Sequence, residues 1–191
     1  ANILLDDLDK ELESRGHRFC RYADDCNIYV RTVAAGKRVM ASITTFLERR
    51  LRLKVNQGKS AVAYVGKRKF LGYRLLRGGI LTIAPKSLER AKKRIREITQ
   101  RNRSMRLEER VQKLNEFLTG WVTYYRLAHC RSQLSKLDGW TRRKLRCVTL
   151  KQCKRTLRIA TFLRKQGVPE YQSWILALSG VGWWRKAKTP Q

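Results

Sequence analysis

The stretch that decides the first part of the fold is Arg18-Phe19-Cys20-Arg21-Tyr22-Ala23-Asp24-Asp25-Cys26-Asn27-Ile28-Tyr29-Val30. Runs of strand-forming residues flank Tyr22-Ala23-Asp24-Asp25, which predicts a hairpin with two adjacent carboxylates at its tip. Adjacent carboxylates repel each other, and burial disfavours their charged forms. A divalent cation offsets both effects, and Mg²⁺ takes carboxylate oxygens together with substrate phosphates. We therefore expect Asp24 and Asp25 to form a Mg²⁺ site, the alternative being two simple turn residues.

Helical and strand-like patterns alternate around this hairpin. The expected elements, besides the hairpin, are helices over 2–14 and about 35–51 and strands over 61–65, 69–76 and 80–83. The apolar stripe expected for the first helix consists of Ile3, Leu4, Leu8 and Leu12. Residues 1–83 are therefore predicted to form an α+β unit, with helices packed on an antiparallel sheet.

The pattern changes at Pro85, a favourable first-turn helix residue. Beyond it almost all periodicity is helical, with Ser104 as the expected cap of a second helix and a third helical region over about 132–165. Residues 84–191 carry 27 basic and 7 acidic side chains, a net charge of +20. We therefore predict a second domain, 84–191, that is a basic helical bundle.

Charge limits the partners of the whole chain. Lys and Arg number 44 against 15 Asp and Glu, a net charge of +29 over 191 residues. Such an excess repels itself unless a polyanion neutralises it, so nucleic acid is the expected partner and an anionic membrane surface the weaker alternative. Residues 1–30 are the exception, with a net charge of −3. A small acidic centre within a basic chain is what a metal-dependent nucleic-acid enzyme requires.

Other classes of protein are disfavoured. No apolar run is long enough to span a bilayer, and the first residues lack the features of a signal peptide. None of the five cysteines forms a Cys-x-x-Cys pair, so a zinc site and a disulfide scaffold are both unexpected. Reduced thiols in a cytosolic protein are the simpler interpretation.

Several separated motifs, taken in order, resemble a known family. Tyr22-Ala23-Asp24-Asp25 is followed by Asn56-Gln57-Gly58-Lys59-Ser60 and then by Phe70-Leu71-Gly72-Tyr73. This order resembles the palm of reverse transcriptases. The chain then has Gly120-Trp121-Val122-Thr123-Tyr124-Tyr125 and Leu137-Asp138-Gly139-Trp140, which look like the thumb, or maturase domain, of bacterial group II intron-encoded proteins. Gly180-Val181-Gly182-Trp183-Trp184 fits the same family.

The resemblance implies an RNA-directed DNA polymerase that uses two Mg²⁺ ions. Asp24 matches the metal-binding aspartate of the family motif, and Asp25 matches the second aspartate, which supports the metal site. Tyr22 and Ala23 would lie where the hairpin meets the primer terminus and the incoming nucleotide.

Further residues receive nucleotide- or primer-binding roles from the same resemblance. Lys59 matches a basic residue that assists the leaving group, with Asn56 before it in the motif; an ordinary surface lysine is the alternative. The segment that would grip the primer backbone consists of Phe70, Leu71, Gly72 and Tyr73. The residues expected to contact RNA through phosphates and shape are Lys92, Lys93, Arg96, Arg103, Arg142, Arg143, Lys144 and Arg146. Trp121, Tyr125 and Trp140 are expected to be packing anchors of the bundle rather than stacking platforms.

The sequence also departs from the family pattern. Ala1-Asn2-Ile3 resembles the end of a longer family segment, and the strand that carries another metal-binding Asp should lie upstream. We therefore expect the chain to be a fragment that does not polymerise DNA alone, and a missing N-terminal segment or a homodimer could complete the site.

Three functions compete at this point. The first is an RNA-directed DNA polymerase, with an RNA template, a DNA primer and dNTPs as partners. The second is a maturase that binds group II intron RNA through its basic thumb and promotes splicing without catalysis. The third is a basic RNA-binding protein unrelated to polymerases. The expected location is the bacterial cytoplasm, without membrane attachment.

Overall fold

The structure, a computed structural model, describes residues 2–188 and divides into two units, the first up to Arg77 and the second from Gly78. The elements of the first unit are α1 (Asn2–Ser14), β1 (Arg18–Tyr22), β2 (Asp25–Tyr29), α2 (Val33–Arg49), a 3₁₀ turn (Val65–Lys67) and β3 (Tyr73–Leu75). The elements of the second unit are β4 (Leu81–Ile83), α3 (Pro85–Ile98), α4 (Leu107–Tyr124), α5 (Arg131–Cys153), α6 (Thr156–Lys165), α7 (Glu170–Leu178) and α8 (Trp183–Lys186). Within residues 2–188 no helix combines the length and the apolar character needed to cross a membrane.

Helix α1 confirms the first predicted helix but not its whole apolar stripe. Leu8 and Leu12 are buried, whereas Ile3 is 94% exposed. Gly16, at φ 70°, ends the helix, and the backbone N–H groups of Gly16 and His17 donate to the carbonyls of Glu13 and Leu12. These bonds satisfy carbonyls that the helix leaves without an internal partner, and glycine adopts the required left-handed conformation without strain.

Strands β1 and β2 form the predicted antiparallel hairpin, with Phe19 opposite Ile28 and Tyr22 opposite Asp25. One face of the hairpin packs on α1 and α2. The core of this unit consists of Leu8, Leu12 and Ile43, with Leu5, Phe19, Cys26, Ile28, Val39, Phe46, Leu47 and Leu51 packed around it. Because strand side chains alternate between faces, burying Phe19, Cys26 and Ile28 on the helices sets the register of the hairpin.

Helix α2 begins after Thr32, whose hydroxyl accepts a hydrogen bond from the N–H of Ala35 at 3.1 Å. This cap satisfies one of the free N–H groups of the first turn. Gly36, also in this turn, leaves room for Val62, since a Cβ at Gly36 would lie 2.6 Å from a methyl carbon of Val62. The segment around Val62 is thereby packed directly against the helix.

Of the strands predicted beyond the hairpin, the one over 80–83 is confirmed as β4, the one over 61–65 was wrong, and the one over 69–76 was right only in part. Residues 61–64 form no regular element, Val65–Lys67 is a 3₁₀ turn, and only Tyr73–Leu75 of the predicted strand 69–76 is a strand. A strand requires a neighbouring edge that accepts its backbone hydrogen bonds. The residues around Val62 pack on α2 instead of lying against such an edge.

The second unit is mainly helical, and the helical region predicted over about 132–165 consists of two helices, α5 and α6. The break lies at Lys154, whose φ of 56° is left-handed and ends α5 before α6 begins. Ser104 does not cap α4, which begins after Arg106. The segment from residue 168 onward, for which the sequence predicted no element, contains α7 and α8.

Two apolar clusters hold these helices together. The cluster between α3, α4 and α5 consists of Ile95, Ile98, Leu114 and Leu137, with Leu88, Phe117, Leu118, Trp121, Trp140 and Leu145 packed on it. The cluster between α5 and the C-terminal helices consists of Cys147, Leu150, Ile159, Ala160, Leu163, Val168, Ala177 and Ala187, with Cys153, Phe162, Trp174, Leu176, Trp183 and Trp184 packed on it. Trp121 and Trp140 are therefore packing residues, as expected, and the C-terminal tryptophans are held by the same kind of contact.

Candidate active site and nucleic-acid interface

The hairpin tip places its two carboxylates at the surface. Tyr22 and Asp25 close the hairpin as a cross-strand pair, so that Ala23 and Asp24 form a two-residue loop. Ala23 has φ 53°, a left-handed conformation that costs a non-glycine residue roughly 1 kcal/mol. Asp24 and Asp25 are both exposed, and the neighbouring Tyr22 is 64% exposed. The tip is thus a strained turn that presents carboxylates and an aromatic ring to solvent.

Arg21 stabilises this turn through hydrogen bonds to Asp9 and to the loop backbone. Its Nε donates to Oδ1 of Asp9 at 2.8 Å, and its Nη2 bonds the other oxygen of the same carboxylate. The Nη1 of Arg21 donates to the backbone carbonyl of Ala23 at 2.9 Å. One guanidinium therefore joins α1 to the strained residue of the loop, in the paired geometry that arginine forms with carboxylates.

The same contact changes the acidity of Asp9. The hydrogen bonds from Arg21, supported by its positive charge, lower the pKa of the Asp9 carboxyl, against the opposing effect of burial. Asp9 was not among the candidate residues predicted from the sequence, because a carboxylate on the polar face of a helix is usually solvated. The sequence feature that could have indicated this contact is Arg21, which lies two residues before Ala23.

Two carboxylates are a partial fit to a magnesium site. Both offer hard oxygen ligands, and no ion pair between described residues uses either of them. Mg²⁺ prefers octahedral oxygen coordination, keeps several waters, and is commonly held by one or two carboxylates plus substrate phosphates. Over residues 2–188 no group of three His, Cys, Asp or Glu side chains is placed to hold a metal. Asp24 and Asp25 can thus supply part of a ligand set.

The second motif is a tight turn organised by Asn56. The backbone N–H of Lys59 donates to both the carbonyl and the side-chain Oδ1 of Asn56, at 3.1 and 3.2 Å, and the N–H of Ser60 donates to the same carbonyl. The side chain of an asparagine often holds a turn in this way. Asn56 therefore shapes the turn, and Lys59 lies exposed on it.

The third motif is a turn with two left-handed residues. Phe70 and Tyr73 exchange backbone hydrogen bonds of 2.9 Å in both directions, and Leu71 and Gly72 between them have φ 51° and 80°. Glycine accepts this conformation readily, whereas a bulky residue such as Leu71 does so only at an energetic cost. Positive φ at Gly72 is thus a structural reason for glycine at this position.

Two of the sequence motifs contain a non-glycine residue with a left-handed backbone conformation. The non-glycine residues with positive φ in residues 2–188 are Ala23, Arg52, Leu71 and Lys154. Two of the four lie in the carboxylate hairpin and in the turn at residues 70–73. Strained conformations cluster at functional sites, which supports a functional reading of both motifs.

The basic residues predicted to bind RNA fall into two groups on the second unit. The exposed residues are Lys93, Arg96, Arg103 and Arg142, and the half-buried residues are Lys92, Arg143, Lys144 and Arg146. Arg142 forms an exposed ion pair with Asp138 at 3.0 Å on α5. The exposed group is the one best placed to reach phosphates.

Arg143 and Lys144 have internal contacts that the sequence did not suggest. Arg143 donates from Nε and Nη2 to the backbone carbonyl of Trp184, and its guanidinium carbon lies 3.9 Å from the centre of the Trp184 ring. The ammonium of Lys144 lies 5.4 Å from the ring centres of both Trp140 and Trp184. Cation–π contacts of this kind join α5 to α8.

Burial is the main cause that lowers the pKa of the Lys144 ammonium, and the positive charges of Arg96 and Arg101 add to it. This local concentration of positive charge is favourable for a polyanion.

Arg110 organises the loop between α3 and α4 from inside the protein. It is fully buried and donates to the carbonyls of Ile98 at 2.7 Å, Arg103 at 2.6 Å and Met105 at 3.3 Å. Burial lowers the pKa of its guanidinium. The planar guanidinium satisfies several carbonyls at once, which lysine cannot do in the same geometry. The loop it holds carries Arg101, Arg103 and Arg106, so its basic surface has a fixed shape.

An acidic hairpin on an α+β unit, followed by a basic helical unit, fits a protein that binds nucleic acid. The comparisons give the family. Residues 1–75 match the family model of the reverse transcriptase (RNA-dependent DNA polymerase), and residues 88–167 match that of the group II intron, maturase-specific domain. A search of curated proteins found no match.

The two matches lie in the order that the motifs predicted, and the chain belongs to the group II intron reverse transcriptase/maturase family. The third hypothesis, a basic RNA-binding protein unrelated to polymerases, is thereby excluded.

Proposed function

We propose that this chain binds the RNA of a group II intron through its basic helical domain, 84–191. We also propose that its hairpin carboxylates belong to the reverse transcriptase active site of the palm, 1–83. The observation that carries the proposal is the exposed Asp24–Asp25 pair at a strained, braced hairpin tip, in a chain whose remainder is strongly basic. The bacterial cytoplasm is the proposed location, since the intron RNA is transcribed there.

The chemistry proposed for the palm is that of the reverse transcriptase family, whose motif these residues match. Asp24 and Asp25 would hold divalent cations at the hairpin tip. Mg²⁺ held there would supply positive charge to the primer 3′ oxygen and to the departing pyrophosphate. Tyr22 and Ala23, beside these carboxylates, would contact the primer terminus and the incoming dNTP.

The two turns of the same unit would position the nucleic acid. Lys59 would place its positive charge near the leaving phosphates, and Asn56 fixes the turn that carries it. The segment 70–73, with its backbone fixed by the reciprocal hydrogen bonds of Phe70 and Tyr73, would hold the primer strand. Rigid positioning of this kind lowers the entropic part of a reaction barrier.

For the 191-residue chain tested alone, we propose RNA binding without DNA synthesis. Residues 2–188 offer two carboxylates at the hairpin and no group of three potential ligands. A two-metal site needs enough ligands to fix both ions, so a pair of adjacent aspartates is insufficient for productive geometry. The basic domain does not depend on those ions, because its contacts with RNA are those of lysine and arginine with phosphates.

Primer extension and RNA binding, measured on the same preparations, test this proposal. The 191-residue chain should not extend a DNA primer on an RNA template in Mg²⁺ above background, but should bind the intron RNA. The double variant Asp24→Asn/Asp25→Asn should bind that RNA at least as well as the unaltered chain, because removing negative charge reduces repulsion from phosphates.

The matched control is Asp7→Asn, which removes an exposed carboxylate from α1. Extension that persists in Asp7→Asn and disappears in Asp24→Asn would show that the chain is catalytic by itself, and the binding-only proposal would then be wrong. Failure of the unaltered chain to bind intron RNA would contradict the proposal as a whole.

A further inference from the structure

An open groove of about 550 Å³ lies on the second unit, at the sequence that leads into α8. Its lining includes Arg101, from the loop after α3, together with Gly180, Gly182, Trp183, Trp184 and Arg185. Neither the carboxylate hairpin nor the basic residues predicted to bind RNA contribute to this groove. Its volume is within the range of small-molecule sites in proteins.

The walls of the groove combine two chemistries. Arg101 and Arg185 are exposed and bring positive charge, while Trp183 and Trp184 bring large aromatic surfaces. Aromatic rings beside arginine are the combination on which unpaired bases stack while their phosphates are neutralised. A second groove of similar volume, on α4, is lined instead by Glu108 and Glu116 and would repel phosphate.

Contacts with the rest of the second unit hold the two tryptophans in place. Trp183 and Trp184 pack against the apolar cluster of α5 and the C-terminal helices. Arg143 stacks on Trp184 and bonds its carbonyl, and buried Lys186 donates to the carbonyl of Ala177 and lies 5.5 Å from the Trp183 ring. Rings fixed before binding lose little conformational freedom when a base stacks on them.

The glycines leave the backbone of the groove open. Apart from the glycine itself and its two chain neighbours, no residue has an atom within 4 Å of the position that a Cβ would take at Gly180 or Gly182. Gly182 has φ −62° and ψ 154°, a conformation open to any L-residue. The fold therefore does not require glycine at this position, and close approach of a ligand to the backbone is an alternative reason for its presence.

We propose that this groove binds one unpaired nucleotide of RNA, with its base stacked on the tryptophan pair and its flanking phosphates on Arg101 and Arg185. The proposal rests on the proposed RNA-binding function and adds a single-strand site to it. Bases inside a duplex are stacked on one another and cannot enter such a groove, so the site would discriminate single-stranded from double-stranded RNA.

Two fluorescently labelled RNA probes test this site, an oligouridine strand of about ten nucleotides and a hairpin duplex with a similar number of phosphates. Arg101→Ala/Arg185→Ala should raise the Kd for oligouridine about tenfold and the Kd for the duplex no more than about twofold. The charge-matched control, Arg126→Ala/Arg158→Ala, removes two exposed arginines outside the groove and should affect both probes to the same small extent.

A second variant tests the groove without changing charge. Gly182→Val should fold like the unaltered chain, because its φ and ψ suit valine and the Cβ position is free. It should weaken oligouridine binding by about tenfold, since the added side chain competes with the base, and leave duplex binding unchanged. Thermal unfolding of the variant verifies that the fold is intact.

The outcomes separate this inference from the function on which it rests. If neither probe binds the unaltered chain, the RNA-binding function fails and the site fails with it. If both probes bind but the groove variants weaken them equally, or weaken neither, the single-strand site is wrong while RNA binding stands. Selective loss of oligouridine binding in both groove variants supports the site.

Discussion

Single side chains fix the hairpin that carries the candidate active site. Arg21 joins the Asp9 carboxylate to the carbonyl of Ala23, and Ala23 is the loop residue in a left-handed conformation. The contact sets the position of Asp24, the next residue, without touching its carboxylate. An apparently ordinary surface aspartate on α1 is therefore a positioning residue for the neighbouring acidic pair.

The first prediction concerns the pH dependence of this contact. Since the folded pKa of Asp9 lies below its ordinary value of 3.8, the contact stabilises the fold above that value. This stabilisation is lost as the pH falls through the lower, folded pKa. Asp9→Asn should therefore lower the urea midpoint at pH 7, and the difference from the unaltered chain should shrink in strongly acidic solution.

Urea unfolding of both proteins across this pH range measures the effect, with Asp7→Asn as the control carboxylate on the same helix. Equal shifts in the two variants, or a difference that persists undiminished in acid, would contradict the assigned role of Asp9.

At the scale of elements, Arg110 connects the end of α3 to the start of α4. Its guanidinium donates hydrogen bonds to three backbone carbonyls. One of these carbonyls belongs to Ile98, the last residue of α3. Carbonyls near a helix end have no partner within the helix, so they need one from elsewhere. The element that results is a basic loop of fixed conformation rather than a flexible linker.

The second prediction follows from these bonds. Arg110→Ala should lower the free energy of unfolding of the chain by about 3 kcal/mol, because buried carbonyls lose charged donors and a cavity remains. The free energy of unfolding of Arg110→Lys should lie between those of the unaltered chain and of Arg110→Ala. Lysine keeps the positive charge but lacks the several planar donors of a guanidinium. Exposed Arg106→Ala should change stability by less than about 0.5 kcal/mol.

Denaturant unfolding measures all three variants. A loss for Arg110→Ala no larger than that for Arg106→Ala would mean that the buried guanidinium does not support the loop.

At the scale of the whole chain, charge is the dominant property. The net charge of +29 is unevenly distributed, with −3 over residues 1–30 and +20 over residues 84–191. Binding of RNA to such a chain releases counterions from the phosphates, so affinity should depend steeply on salt.

The third prediction gives this dependence a magnitude. If about six phosphates are neutralised, the Kd for intron RNA should rise roughly 10³-fold between 50 and 200 mM salt. Lys93→Ala/Arg103→Ala should reduce the slope of log Kd against log salt by roughly one to two, as expected for two exposed cations that reach phosphates. A Kd that is constant over this range would overturn the electrostatic basis of the interface.

The sequence by itself determined the features that depend on local pattern. It predicted α1, α2, α3 and the carboxylate hairpin, because the apolar periodicity of a helix or strand can be recognised within a short stretch of residues. It also determined the charge of each region and the order of the family motifs, which the two family matches confirmed. Its strands over 61–65 and 69–76 were largely wrong, because a strand depends on a partner that local pattern does not contain.

Only the tertiary structure decided which distant residues meet. The bond of Arg21 to Asp9, the burial of Arg110 under three carbonyls and the stacking of Arg143 on Trp184 join residues up to 41 positions apart. The groove that places Arg101 beside Trp183 spans a longer separation still. Such contacts follow from how helices pack, and packing depends on the whole set of apolar surfaces at once, so no single stretch of sequence carries the information.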